Sequence, residues 1–307
     1  MSFEKNRSLR AFITLVTTLV FAGPAAAQSW KEKYKELTFA VVPAENADGV
    51  LQRYEPMMAY MSRTLGVPVK LRVANDYAAV IEGLRNGQVH YAHLGPSAYA
   101  RAHLVTSGGV EPLVSLIDMT GTIGYFSVLY VRSDDPAQKL QDLKGRTLCL
   151  VDPNSASGNN VPRFALHKMG ITPETFFSKV VYSGSHENAV IALQQKTCDG
   201  AFNWWNSPEA SNLLRMAKKG MVRAEDFRIV FKSDLIPGSP ITVMASQPEP
   251  LKADLRKALL DVATADKAAF DRLTDGKYLR YGEVNKDFYG VVIELTQFVD
   301  GLRKSSR

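Results

Sequence analysis

The 307-residue chain has only two cysteines, Cys149 and Cys198, and five histidines. This excludes a cysteine-dense scaffold, and two cysteines without suitably spaced histidines make no zinc site. His90 and His93 are three apart in an expected strand, so they face opposite sides and form no metal pair. After residue 27 no apolar run approaches the roughly 20 residues that a membrane-spanning helix needs. Positive charge is scattered, and the one dense basic stretch is the terminal "LRKSSR", expected to fray. Nucleic-acid binding would need basic residues clustered on one face, so no nucleic-acid partner is expected. The "G-x-S-x-G" nucleophile elbow is also missing: Ser155 and Ser157 sit in "NSASG". A serine at a helix start without an oriented base is a poor nucleophile, which counts against a secreted hydrolase using Ser155 and His186.

What is present begins with a leader. Lys5, Arg7 and Arg10 precede the apolar "AFITLVTTLVFA", and "GPAAAQ" follows. This is the pattern of a secretory signal peptide, residues 1–27, with cleavage expected after Ala27. Of the net charge of +6, the leader holds three basic side chains and Glu4, so the exported part is about +4 by residue counting. An exported chain meets an oxidising compartment, where Cys149 and Cys198 can pair; two buried thiols are the alternative.

Strand and helix patterns alternate along the rest. "LTFAVVP" reads as a strand, and Leu51, Tyr54, Met57, Met58, Met61 and Leu65 form an apolar helical stripe ending at Gly66. "VKLRVA" is a strand, Asp76 caps "YAAVIEGLRNG", "VHYAHL" is a strand, and "GPSAYARAHLV" opens a helix. After the strong strand Tyr125–Arg132 the rhythm repeats through "TLCLV", "RFALHKMG", "KVVYSG", "HENAVIALQQ" and "DGAFNW". Such alternation predicts an α/β protein with parallel sheets covered by helices, in two similar halves.

In open parallel sheets, ligands bind beyond the carboxyl ends of the strands. The loops there are "PAENADG", "ANDYAA" and "LGPSAY" in the first half, and "DPNSASG", "SGSHENA" and "NWWNSPEA" in the second. The serines of "DPNSASG" have two readings. They cap a helix, or with the exposed N–H groups of a helix start they hold an anion. Neither "SASG" nor "SHEN" contains Lys or Arg, so an anion site there relies on hydroxyls, N–H groups and helix dipoles.

Five stretches occur in order: "NDYAAVIEGLRNGQVHYAHLGPSAYA", "GYFSVLYVRSDDP", "DPNSASG", "SHENAVIAL" and "KSDLIPGSPI". On these the chain resembles the PhnD-like family, the periplasmic substrate-binding proteins of phosphonate, phosphite and phosphate ABC transporters. The resemblance covers nearly all of the exported chain. It implies a type II periplasmic binding protein, two α/β domains joined by two crossover strands with the ligand between them. Residues 28–124 with 240–307 form the first domain, and 125–239 the second. It implies a periplasmic carrier, neither an enzyme nor a cofactor binder, that works as a monomer and delivers its ligand to a membrane permease. A secreted oxyanion sensor is the alternative.

By the same resemblance, Ser155, Ala156, Ser157, His186 and Tyr77 hold the phosphorus oxyanion. Ala156 stands where a relative has Thr, so only its N–H serves. Two carboxylates that hold an ammonium in an aminoethylphosphonate binder of the family correspond to Asn206 and Ser239. Neither is charged, and a buried ammonium without a carboxylate is costly. Leu94 replaces a family Tyr. Trp204 and Trp205 either stack on an alkyl or ammonium tail, or one of them is core and the other cleft wall.

Overall fold

The computed structural model describes residues 30–305. The expected leader and its cleavage point lie outside the described residues. In chain order the strands are β1 (Leu37–Val41), β2 (Val69–Val73), β3 (Tyr91–His93), β4 (Val110–Asp118), β5 (Gly124–Arg132), β6 (Thr147–Leu150), β7 (Lys179–Tyr182), β8 (Gly200–Ser207), β9 (Ala210–Ser211), β10 (Phe227–Lys232), β11 (Ile236–Pro237), β12 (Pro240–Met244) and β13 (Tyr278–Glu283). One sheet runs β13-β4-β12-β3-β1-β2. The other runs β10-β5-β8-β6-β7, with β11 paired to β5 and β9 to β8.

The expected parallel cores are there: β1 lies parallel to β2 and β3, and β6 to β7 and β8. The sheets as wholes are mixed, which corrects the all-parallel expectation. β12 is antiparallel to β3, and β5 to β8. Connectivity is the cause. β5 carries the chain out of the first sheet into the second, and β12 brings it back, so each runs against its local neighbours. The outgoing and returning chains pair where Ile236 opposes Tyr125 and Pro237 opposes Gly124. Beside this joint a Cβ on Gly238 would lie 2.5 Å from the Ser115 hydroxyl, so another residue there would have to displace it.

Strand β4 is absent from the sequence rhythm. It contains Pro112, which interrupts a ladder. The fold accommodates Pro112 where the β4–β12 register shifts between Ile241 and Thr242. In the Ala47–Leu65 helix, Asn46 caps the start by accepting from the Gly49 N–H, and Gly66 ends it at φ 71°. Tyr54, Met57, Met58, Met61 and Leu65 pack into the first core with Phe39 and Tyr91. Leu51, expected on that stripe, stays 45% exposed at the rim.

Cys149 and Cys198 are joined as a disulfide, Cα atoms 5.8 Å apart, between β6 and the turn before β8. The C-terminal helix Gly290–Ser305 takes in the first four residues of "LRKSSR". It packs on the Pro96–Val105 helix of the first lobe and reaches the second, where Phe298 meets Phe164 and His167 at ring distances of 5.6 and 5.1 Å. Among the described residues no helix is long and apolar enough to cross a membrane.

Candidate functional site

A cavity of about 170 Å³ lies between the lobes. Tyr77, Leu94, Ser155, Ala156, Ser157, His186, Trp204 and Ser239, all singled out from the sequence, line it together. Strand and helix ends bring them there. Tyr77 opens the Tyr77–Arg85 helix, Leu94 follows β3, Ser155–Ser157 follow β6, His186 opens the His186–Gln194 helix, and Trp204 lies on β8.

The loop after β6 satisfies both readings of its serines. Ser155 Oγ accepts from the Gly158 N–H at 3.0 Å, as a cap does. That uses a lone pair and leaves the hydroxyl hydrogen to give. The chain then makes a wide, π-type turn over Ala156–Asn160, in which the Asn160 N–H bonds Ser155 O at 3.0 Å. Ala156 and Ser157 keep N–H groups with no backbone acceptor among the described residues. Gly158 lets the loop pack close here: a Cβ would stand 2.4 Å from Val151 Cβ and force a shift. Asn159 ties the loop down, donating to Pro153 O and accepting from Arg163 Nε and the Tyr182 hydroxyl. From β5, the Ser127 hydroxyl fixes Ser157 O at 2.6 Å.

Two tyrosines complete this end. Tyr77 engages the Ser155 hydroxyl, and burial, then the nearby Asp152 charge, pushes its phenol well above the ordinary range, so it remains a neutral donor. Tyr125 engages Ser157 and Ser239, and burial raises it likewise. Tyr125, which opens the expected second domain, was given no role in the site from the sequence. The signal was available, because crossover strands border the cleft of such folds. His186 is 4% exposed, and its Nδ1 has no partner among the described residues. Burial depresses its imidazole to about 4, against a weaker raising effect from Asn203, so it is neutral at pH 7. With its proton on Nδ1, it is a buried donor with no acceptor among the described residues.

The second helix start differs from expectation. The N–H groups of His186 and Glu187 do not face an open cleft. Both point to one acceptor in the other lobe, the Ala44 carbonyl, at 3.1 and 3.4 Å. This helix end joins the lobes; of its first residue, only the imidazole is left for a ligand.

Trp204 lines the cavity, whereas Trp205 and Asn206 are not among its lining residues. Side chains alternate along a strand, so Trp204 faces in while Trp205 turns out to Phe126 and Lys232. Asn206 lies two residues beyond Trp204, where its side chain engages Asp118. Neither histidine of the 90/93 pair joins a metal site. His90 Nδ1 accepts from the Thr38 N–H at 2.8 Å, while His93 lines the cavity, 2.9 Å from the Tyr54 hydroxyl.

Sequence reasoning missed the other end of the cavity entirely. Arg53 and Arg215 stand on its wall with Tyr54, His93, Tyr278 and Tyr281. Glu45, 3% exposed, holds Arg53 from behind, and Lys219 at 2.7 Å. Lys219 also pairs with Glu187 at 2.9 Å, and Arg215 with Asp275 at 2.8 Å. Burial alone would raise the Glu45 carboxyl. Arg53, Arg215 and Lys219 together overcome this and hold it down to about 2. The network joins Glu45, Arg53 and Asp275 of the first lobe to Glu187, Arg215 and Lys219 of the second.

A cleft between two α/β lobes, entered and left by paired crossing strands, defines the class: a type II periplasmic binding protein. A family profile described as "ABC transporter, phosphonate, periplasmic substrate-binding protein" matches residues 39–289. The chain belongs to that family, whose members are non-enzymatic transporter components. It is 31% identical over 211 residues to the "Phosphate-import protein PhnD" of Mycolicibacterium smegmatis, covering 66% of this chain and 64% of that relative. It is 28% identical over 269 residues to the "Phosphonates-binding periplasmic protein" of Escherichia coli, covering 86% and 76%. Among solved structures, a binding-protein component of an ABC phosphonate transporter from Pseudomonas aeruginosa superimposes with a TM-score of 0.78 at 25% identity, covering 89% of each chain.

Proposed function

We propose that this protein captures a phosphonate or related phosphorus oxyanion between its lobes and hands it to a membrane permease. Ser155, Ala156, Ser157, His186, Tyr77, Tyr125 and Ser239 form the head-group end, with Trp204 and Leu94 shaping the wall. Residues 28–124 with 240–307, and 125–239, move as two bodies about the β5–β11 joint. The chain is exported, cut after Ala27, and acts as a monomer. One observation carries the reading: neutral hydroxyl, N–H and imidazole donors converge on one buried cavity, and the His186 Nδ1 has no partner among the described residues. Three acceptor oxygens of a phosphonate match such donors, and buried donors gain when an anion satisfies them.

Calorimetry with methylphosphonate, aminoethylphosphonate, phosphite, phosphate and sulfate tests it. Stoichiometric binding of at least one phosphorus compound, without turnover, is expected. No binding to any of them ends the proposal. Release of a product from a phosphonate turns it toward catalysis.

A further inference from the structure

The end of the cavity away from the serine loop has a chemistry of its own. The charged side chains on the wall are Arg53 and Arg215; no Asp, Glu or Lys lines it among the described residues. Glu45, Asp275 and Glu187 lie behind the arginines, off the wall. Arg53 is used up from that side: Nε and Nη2 go to Glu45, and Nη1 to the Leu273 carbonyl. Arg215 is not. Asp275 takes its Nε and Nη2 at 2.8 Å, but Nη1 is 3.9 Å from Glu45, beyond hydrogen-bond distance. The guanidinium rests on the Trp204 ring, 5.2 Å from its centroid, and both groups form cavity wall.

We propose that this end reads a second oxyanion, so that the ligand is a short phosphonate whose tail ends in a carboxylate. The inference rests on the phosphonate reading above and specifies its substrate class. A carboxylate on the tail would accept from the free edge of Arg215 and stand between two guanidiniums. The planar guanidinium suits that acceptor better than any other side chain does. An ammonium at the same place would lose water beside two cations and gain no carboxylate. The two ends also draw on different residues: Arg53 and Arg215 stand with Tyr54, His93 and Tyr278, whereas Ser155 and Ser157 stand with Tyr77 and Tyr125. A ligand must therefore have length, with an oxyanion at each end, to use both.

The test titrates the purified exported protein with ethylphosphonate, phosphonoacetate, 3-phosphonopropionate and 2-aminoethylphosphonate. One of the two carboxylates should bind tighter than ethylphosphonate by about tenfold or more, the worth of a charge-assisted hydrogen bond. The amine should bind more weakly than ethylphosphonate. Arg215→Gln should collapse the carboxylate advantage to below about threefold by losing that bond. Lys219→Gln removes a cation of the same network that is off the wall, and should weaken all ligands in proportion. The inference is overturned if the amine matches or exceeds the carboxylates, or if Arg215→Gln leaves the carboxylate-to-ethyl ratio intact. If Arg215→Gln does not fold, the ratios in the unaltered protein decide. Binding of ethylphosphonate without discrimination removes this inference and leaves the phosphonate reading standing; no binding of any phosphonate removes both.

Discussion

The two ends of the cavity handle charge by opposite means. At the serine loop every group on the cavity wall is neutral: two serines, backbone N–H groups, tyrosines whose ionisation burial suppresses, and an uncharged His186. At the far end six ionised groups meet. Glu45, Arg53 and Asp275 sum to one negative charge on the first lobe, and Glu187, Arg215 and Lys219 to one positive charge on the second. The neutral end waits for charge from outside. The ionised end completes itself when the lobes meet. Recognition of the head group and closure of the lobes are thus assigned to different residues, and each can be perturbed alone.

Acid strikes both ends at once, and it should have the largest effect. His186 and His93 are each held at about 4 against an ordinary 6.5, His186 by burial and His93 by burial with Arg53 and Arg215 adding to it. Between those values the unfolded chain binds more protons than the folded one, so stability is full above pH 6.5 and declines as pH falls toward 4. Glu45 extends the loss below 4.5, because its folded value is depressed to about 2. Denaturant titrations at pH 7, 5.5 and 4.5 measure this. Equal stabilities across that range would mean the imidazoles are not neutral and buried.

Glu45→Ala breaks the ionised end alone. It leaves Arg53 and Lys219 without their shared carboxylate and should cost about 3–5 kcal/mol, as loss of one partner from a buried network does. Thermal unfolding shows the loss, and small-angle scattering should show a larger radius of gyration from the opened lobes. An unchanged scattering profile would separate this network from closure. Ser155→Ala and His186→Ala break the neutral end. Each should weaken every phosphonate alike by about 1.5–3 kcal/mol while leaving the scattering of the unliganded protein as it was. Loss confined to one tail type would place these residues elsewhere in the site. Gly158→Ala has the smallest expected effect, about 1–3 kcal/mol from overpacking against Val151. It should lower the melting temperature and loosen binding together. A variant that melts like the parent would mean the loop shifts freely.

These ends were not equally legible in the sequence. The neutral one was readable because its parts are local. "DPNSASG" and "SHENAVIAL" each place polar residues at the start of a helix right after a strand, and the binding-edge rule needs nothing more. What could not be read was which N–H groups remain free: the His186 and Glu187 amides look available in sequence and are taken by Ala44 in the fold. The ionised end draws on residues 45, 53, 187, 215, 219 and 275, each of which reads locally as ordinary surface charge. One clue existed, since Glu45 lies in "PAENADG", a binding-edge loop. The indole pair was a matter of period: alternation along β8 admits only one of Trp204 and Trp205 to the cleft. The alternating elements came through for the same reason that β4 did not. Periodicity reports faces, and Pro112 in β4 is a departure accommodated by the bulge at Leu113 of the same strand.

The placement of Trp204 also makes the protein its own optical instrument. Of three tryptophans, Trp30 is buried with its indole N–H on Asp254, and Trp205 faces Phe126 and Lys232. Trp204 alone forms cavity wall, beneath the Arg215 guanidinium. A ligand that enters replaces water over one indole and leaves the other two as a constant background. Emission of the unlabelled protein therefore follows occupancy, and a Trp204→Phe version supplies the dark reference.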